Sequence, residues 1–200
     1  MARESEIKLS MQDPAAVLRE CLALGAVETQ PRQHEENLVF DRPGRSLLGE
    51  GKLLRVRRYA GQVLVTFKGP ISIRDHIKHR EELEFLLDSI EVFPRFLENL
   101  GFTVQFRYEK YRQILELEES RLRAAAGQAQ PGTGRVLKIM FDETPIGNYL
   151  ELEGEEDLIH EAAARLGFAR TDYITRSYSD LYDEERRKRG WSGEDMVFGR

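Results

Sequence analysis

The stretch Glu4-Ser5-Glu6-Ile7-Lys8 alternates charged with small or apolar side chains, so two acids and one base share one face of an extended chain. The same period of two continues in six later segments, at residues 53–58, 63–68, 80–85, 106–112, 136–142 and 149–153. A period of two is the pattern of β-strands. We therefore predict that most of the chain forms strands with one strongly charged face.

Like charges recur on these faces, as in the acidic pair Glu4 and Glu6 and the basic pair Arg55 and Arg57. For any single strand, a solvent-exposed face is the ordinary explanation. The repetition of like charges in strand after strand favours a second explanation. In it, a multivalent cation lies among the carboxylates and a polyanion lies among the bases. A closed barrel with a charged interior, covered outside by helices, would hold both sets.

Four segments carry helix signals. The first begins at Asp13-Pro14, which are typical of an N-cap and a first helical position, and ends at Gly25. The others span residues 89–100, 155–166 and 180–188. Strands and helices together predict an α+β fold. The small-residue stretch 124–134 contains glycine and proline and predicts a mobile loop.

The composition of the 200 residues excludes several classes of protein. With 40% hydrophobic and 32% charged residues, the chain is neither disordered nor an integral membrane protein. Cys21 is the only cysteine, so no disulfide forms within the chain. No apolar leader is visible, and the net charge is −5. We expect a cytoplasmic protein, a monomer or homodimer, with no membrane or nucleic-acid partner.

Seven motifs follow one another along nearly the whole chain. The first is ExExK, formed by Glu4, Glu6 and Lys8. The others are LRVR at 54–57, TFK at 66–68, HREELEF at 79–85, EKYR at 109–112, FDETPIGNYLELEG at 141–154 and RSYSDLY at 176–182. In this order they resemble the CYTH superfamily, the triphosphate tunnel metalloenzymes. That superfamily includes class IV adenylate cyclases, thiamine triphosphatases, inorganic tripolyphosphatases and fungal mRNA-capping RNA triphosphatases.

The resemblance implies an eight-stranded antiparallel β-barrel with a charged central tunnel and helices packed outside. It implies that Mg²⁺ or Mn²⁺ is bound by carboxylates, namely Glu4, Glu6, Asp142, Glu151 and Glu153. It implies that the triphosphate is bound by bases, namely Lys8, Arg55, Arg57, Lys68, Arg80, Lys110 and Arg112. The implied catalytic set is Glu4, Glu6, Lys8, Lys110 and Glu153.

Three further residues have supporting roles in this interpretation. Glu82 and Glu84 would orient the bases or add metal contacts, and Tyr178 would line the tunnel or cap the core. Residues 1–182 would form the tunnel domain. Residues 183–200 would form a helical tail that packs on the barrel or closes one tunnel mouth.

The family resemblance leaves the reaction open. Hydrolysis needs a triphosphate, metal and water, whereas cyclisation also needs a site that binds adenine. The sequence shows no clear set of residues for such a site. We therefore expect hydrolysis of inorganic tripolyphosphate or another nucleoside or organic triphosphate. The alternatives are a class IV adenylate cyclase, which converts ATP to cyclic AMP and pyrophosphate, and a non-catalytic sensor of polyphosphate or nucleotides. The full set of carboxylates argues against the sensor, because a binding module needs the bases but has less need of metal ligands.

Overall fold

The first strand closes a barrel by pairing along both of its edges. The computed structural model describes residues 2–89, 91–125, 127 and 134–199, and the side chains of residues 2 and 3 are outside this description. Its strands are β1 (Ala2–Met11), β2 (Val27–Asp41), β3 (Leu53–Tyr59), β4 (Gln62–Lys68), β5 (Ser72–Arg74), β6 (Ile77–Leu87), β7 (Thr103–Glu118), β8 (Val136–Thr144) and β9 (Gly147–Glu153).

The strand order is β1-β9-β8-β7-β2-β3-β4-β6, and β6 pairs again with β1. Strand β1 gives residues 6–11 to β9 and residues 2–6 to β6, which closes the ring. Every neighbouring pair in the ring is antiparallel. The short strand β5 pairs only with β6, outside the ring. The predicted eight-stranded antiparallel barrel is therefore confirmed.

Six helices of the described residues lie around this barrel. They are α1 (Pro14–Ala23), α2 (Ser46–Gly49), α3 (Val92–Asn99), α4 (Glu119–Ala124), α5 (Glu156–Arg165) and α6 (Tyr178–Arg189). A 3₁₀ turn covers Arg170–Asp172. The four predicted helices correspond to α1, α3, α5 and α6, so the predicted α+β class is confirmed.

Helix ends follow the local sequence signals with small shifts. Asp13 caps α1 by accepting a hydrogen bond from the Ala16 amide at 2.9 Å, and Pro14 is its first residue. Helix α6 begins at Tyr178, two residues before the predicted start. The shift arises because Ser177 and Asp180 form a reciprocal capping box there.

The main hydrophobic core lies outside the barrel wall. Alternate residues of β1, β8 and β9, such as Ile7, Ile139 and Leu152, point outward and are fully buried under α1 and α5. The residues of the other parity point inward, and many of them are charged, such as Glu6, Lys8 and Glu151. This arrangement confirms helices packed outside a charged interior, and it inverts the usual order of a small barrel.

Helix α6 and the residues after it pack against β7 and β9. Leu181 and Tyr182 of α6 pack with Tyr108, Tyr149 and Met196. Beyond α6, Met196 exchanges backbone hydrogen bonds with β7. The predicted division at residues 182 and 183 falls inside α6 and stays a prediction.

Two further expectations concern the loop at 124–134 and membrane-spanning helices. The predicted loop at 124–134 lies mostly outside the described residues, which resume at Gly134. Within the described ranges, every helix is too short or too polar to span a bilayer.

The environment of Cys21 provides a test of this packing. Cys21 is fully buried against the main core, and burial raises the pKa of its thiol to about 12. Because the thiolate is the reactive form, iodoacetamide at pH 8 should label the folded protein far more slowly than protein unfolded in urea. Mass spectrometry over time checks this, and equal labelling rates would contradict the packing.

Candidate active site in the barrel interior

The inward-facing side chains surround a cavity of about 310 Å³. Its size is in the range of small-molecule sites. Most of the predicted site residues line it: Glu4, Glu6, Lys8, Arg55, Arg57, Lys68, Arg80, Glu82, Glu84, Lys110, Arg112, Glu151, Glu153 and Tyr178. Residues that are distant in sequence are therefore brought into one space by strand alternation and barrel closure. Their individual roles stay predictions.

Acids dominate the wall formed by β1 and β9. Glu6 and Glu153 are directly opposite each other in the β1–β9 pairing, and Glu4 lies two residues before Glu6 on the same face of β1. Lys68 donates to both oxygens of Glu4, at 2.6 and 2.8 Å, and Lys78 pairs with Glu6. Each of these two buried carboxylates therefore has an ammonium partner from another strand.

The charge of Glu4 is poorly compensated despite Lys68. Burial raises the pKa of the Glu4 carboxyl, Glu6 raises it further, and Lys68 lowers it only in part, so the pKa is about 8. By contrast, Glu151 is held ionised, because Lys8 and Arg112 outweigh burial and lower its pKa. Of these two carboxylates, Glu4 is therefore the one whose charge the neighbouring bases leave poorly compensated.

A divalent cation fits this donor set. Mg²⁺ and Mn²⁺ take carboxylate oxygens, and like charges directly opposite on paired strands are unfavourable without a cation between them. Glu6 and Glu153 meet this description, and Glu4 is the neighbouring cavity-lining residue of β1. No group of three or more His, Cys, Asp and Glu side chains in the described ranges forms a ready-made metal cage. The lysines that contact Glu4 and Glu6 occupy part of that donor set.

Bases dominate the wall formed by β3 and β7. Arg55 donates to the Tyr108 hydroxyl at 3.1 Å, and Arg57 donates to Glu84 at 3.2 Å. On this wall, the Nε–H groups of Arg55 and Arg57 are buried and have no hydrogen-bond partner within the described part of the chain. On β6, the Nε of Arg80 likewise makes no hydrogen bond, but it lies 3.5 Å from Glu4 Oε2. Buried N–H groups are normally paired, so this wall retains donor capacity for an anion.

Asp142 lies behind the basic wall rather than among the residues that line the cavity. Its oxygens receive hydrogen bonds from Lys110 at 2.9 Å, twice from Arg112 at 2.6 Å and from the Tyr178 hydroxyl at 2.6 Å. These four donors use the carboxylate fully in this structure. The predicted metal contact of Asp142 stays a prediction, and the observed contacts make it an anchor for two bases.

Glu82, Glu84 and Tyr178 also contact the bases. Glu82 lies 3.2 Å from Lys68, and Glu84 bonds to Arg57. The Tyr178 ring lies under the Lys8 ammonium, 4.3 Å from the ring centre. Tyr178 lines the cavity and also packs in the hydrophobic cluster that contains Tyr108 and Tyr149.

Sequence reasoning missed several buried charges of the interior, among them Lys78 and Glu35. Lys78 lines the cavity two residues before Arg80, and the alternation of β6 would have found it. Glu35 lies on β2, which was not predicted as a strand. That strand contains Pro31 and irregular register shifts near residues 28–33, so its period of two is broken.

A barrel with facing acidic and basic walls has the charge and size to receive a small polyanion. The CYTH domain model matches residues 2–178. The chain belongs to the CYTH family, which confirms the family predicted from the motifs. Members of this family are metal-dependent.

Three proteins are similar to this chain in sequence or in structure. A protein of Methanocaldococcus jannaschii, provisionally named an adenylate cyclase, is 26% identical over 178 residues, which are 89% of this chain and 97% of the relative. A Vibrio parahaemolyticus structure with a similar provisional name has a TM-score of 0.72 at 20% identity, over 90% and 97% of the two chains. A Hippeastrum protein, provisionally named an adenylyl cyclase and described as having a dominant triphosphatase activity, has a TM-score of 0.60 at 17% identity, over 91% and 96%. The two structures establish similarity of fold.

The raised pKa of Glu4 predicts a pH-dependent stability. A folded-state pKa of about 8, above the ordinary 4.5, gives a contribution that is complete below pH 4.5 and is lost as the pH rises through 8. In EDTA, the free energy of unfolding should therefore fall from pH 5 to 8 relative to a Glu4→Gln variant. The loss should be on the order of a few kcal/mol, at about 1.4 kcal/mol for each pH unit between the two pKa values.

Urea unfolding at pH 5, 6, 7 and 8 measures this difference. The control is Glu143→Gln, because Glu143 is half-exposed and pairs with Arg32 outside the barrel. A constant difference between wild type and Glu4→Gln across the range would contradict the raised pKa.

Proposed function

We propose that the protein hydrolyses a small triphosphate in a divalent-metal-dependent reaction inside the barrel, with inorganic tripolyphosphate as the first candidate substrate. The observation that carries this proposal is the group of buried guanidinium Nε–H groups of Arg55, Arg57 and Arg80 beside a cavity of about 310 Å³. Those of Arg55 and Arg57 have no hydrogen-bond partner within the described residues, while Arg80 Nε lies 3.5 Å from a Glu4 oxygen. Arginine matches phosphate oxygens in pairs, and a chain of phosphates can contact several arginines at once.

In this proposal the chain's own groups bind and orient the substrate. Lys8, Lys68, Lys110 and Arg112, with the three arginines, neutralise the phosphate charge, which is the main requirement of phosphoryl transfer. Glu4, Glu6, Glu151 and Glu153 would hold Mg²⁺ or Mn²⁺, with Asp142 in support. When bound, the metal supplies charge neutralisation and a lower pKa for an attacking water. The dominant triphosphatase activity described for the Hippeastrum protein supports hydrolysis by analogy.

A class IV adenylate cyclase is the second candidate. The names of the M. jannaschii and V. parahaemolyticus proteins favour it. One structural observation also favours it: part of the cavity is lined by apolar and aromatic side chains, namely Val39, Leu48, Leu53, Ile71 and Phe106. Such a surface suits a nucleoside better than a bare phosphate chain. We also propose a cytoplasmic location and no nucleic-acid partner, on composition alone.

The two reactions give different products from the same experiment. We expect a phosphorus NMR time course with tripolyphosphate and Mg²⁺ or Mn²⁺ to show orthophosphate and pyrophosphate, with ATP slow or unchanged in a separate tube. A cyclic-nucleotide signal and pyrophosphate from ATP would establish the cyclase instead. Tight binding of tripolyphosphate without turnover would make the protein a sensor.

Glu153 tests the proposed metal site. Glu153→Ala removes the carboxylate that lies opposite Glu6. Metal-dependent turnover should fall by on the order of 100-fold or more, because even groups outside a metal's ligand shell contribute about 10- to 100-fold. Circular dichroism should be unchanged. Glu143→Ala, outside the barrel on β8, is the control, and wild-type turnover in Glu153→Ala would exclude the assignment.

A further inference from the structure

Glu35 lies at the centre of the basic wall. Its strand, β2, runs between β7 and β3, whose charged cavity-lining side chains are all bases. In the sheet, Glu35 is directly opposite Lys110 of β7 and Tyr59 of β3. Its side chain is 0% exposed, and it is not among the residues that line the cavity. A substrate in the cavity would therefore contact the bases and not Glu35.

Three bases converge on this one carboxylate. Lys110 Nζ lies 3.4 Å from Oε1, while Arg57 Nη1 and Arg112 Nε lie 3.8 and 3.9 Å from Oε2. Asn37 Nδ2 donates to Oε1 at 2.9 Å and fixes the orientation of the carboxylate. Burial would raise the pKa of Glu35, but Lys110, Arg112 and Arg57 lower it to about 2. Glu35 is therefore an anion at neutral pH.

The carboxylate acts on these bases by charge more than by hydrogen bonding. Glu35 Oε2 has no hydrogen-bond partner in the described part of the chain, and its three basic neighbours are at ion-pair distances. Lys110 and Arg112 are held on their other side by Asp142. Two carboxylates thus bracket two bases, which leaves little freedom for either base.

We propose that Glu35 is a positioning residue, which fixes Lys110, Arg112 and Arg57 in the geometry that the reacting triphosphate requires. The inference rests on the proposed function. It has a second consequence: the negative charge behind the wall weakens polyanion binding, because it is repelled by the phosphates that its neighbours attract. Glu35 thus favours turnover at the expense of affinity.

Glu35→Gln tests both parts, since the substitution keeps the shape and the acceptor for Asn37 but removes the charge. We expect kcat to fall by on the order of tenfold or more, because displacement of a group by about 1 Å can cost 100-fold. We expect KM not to rise. Calorimetry with tripolyphosphate in EDTA at low salt should show binding tightened roughly threefold or more.

Glu36→Gln is the matched control. Glu36 is the next residue of β2, points outward and pairs with Arg58 at 3.1 Å, so the same charge is removed outside the barrel. It should leave kcat and metal-free affinity unchanged. A Glu35→Gln variant that matches this control, or one that loses affinity along with kcat, would overturn the proposal.

Glu35→Asp separates position from charge and remains informative if Glu35→Gln does not fold. It keeps the negative charge but withdraws the carboxylate by one methylene. We expect wild-type affinity in EDTA with a reduced kcat, and wild-type kcat would refute the positioning role. Failure of both variants to fold would also refute it, because Glu35 would then be a structural group.

The same measurements distinguish failure of this inference from failure of the proposed function. If wild-type protein neither binds tripolyphosphate in EDTA nor turns over any triphosphate with metal, the proposed function is wrong and the inference falls with it. If wild type binds and turns over a triphosphate, whether by hydrolysis or cyclisation, the comparison of Glu35→Gln with Glu36→Gln decides the inference alone.

Discussion

The structure depends on the requirement that charges inside a protein be paired. Removing an ion from water costs several kcal/mol, and a partner at hydrogen-bond distance is needed to offset it. The barrel meets this requirement across strands rather than along them: Lys68 of β4 reaches Glu4 of β1, and Arg112 of β7 reaches Asp142 of β8. The interior charges are therefore paired only when the barrel is closed. If β6 did not return to β1, the partners of Glu4 and Glu6 would be absent.

The same condition explains the inverted core. Because the inner faces of the strands are charged, the apolar residues of alternate parity must find cover outside, and α1 and α5 provide it over Ile7 and Leu152. Even there the cover is uneven. On α3 and the nearby end of β6, Phe96 and Phe85 remain about half-exposed. The apolar packing that supports the strands with charged inner faces is thus concentrated on one side of the barrel.

The order of the motifs, through the family resemblance, predicted the barrel and fourteen of the residues that line its cavity. Strand alternation predicted the strands and their charged faces. It worked for β1 and β9 because both are regular, with acids on one parity throughout. It failed for β2, where Pro31 and the register shifts interrupt the period, and Glu35 was lost with the strand. It could not predict the donors to Asp142 either, because these are set by the β7–β8 register and by α6, which brings Tyr178 back to the barrel.

The short contact between Met196 and β7 has a consequence for self-association. The pairing of β7 with β8 begins at Tyr111, and Met196 bonds to the backbone of Arg107 and Glu109 on the stretch before it. Unpaired strand edges are templates on which another chain can add a strand. The residues after α6 therefore protect this strand edge. They occupy backbone groups with which a strand of another copy of the protein could otherwise pair.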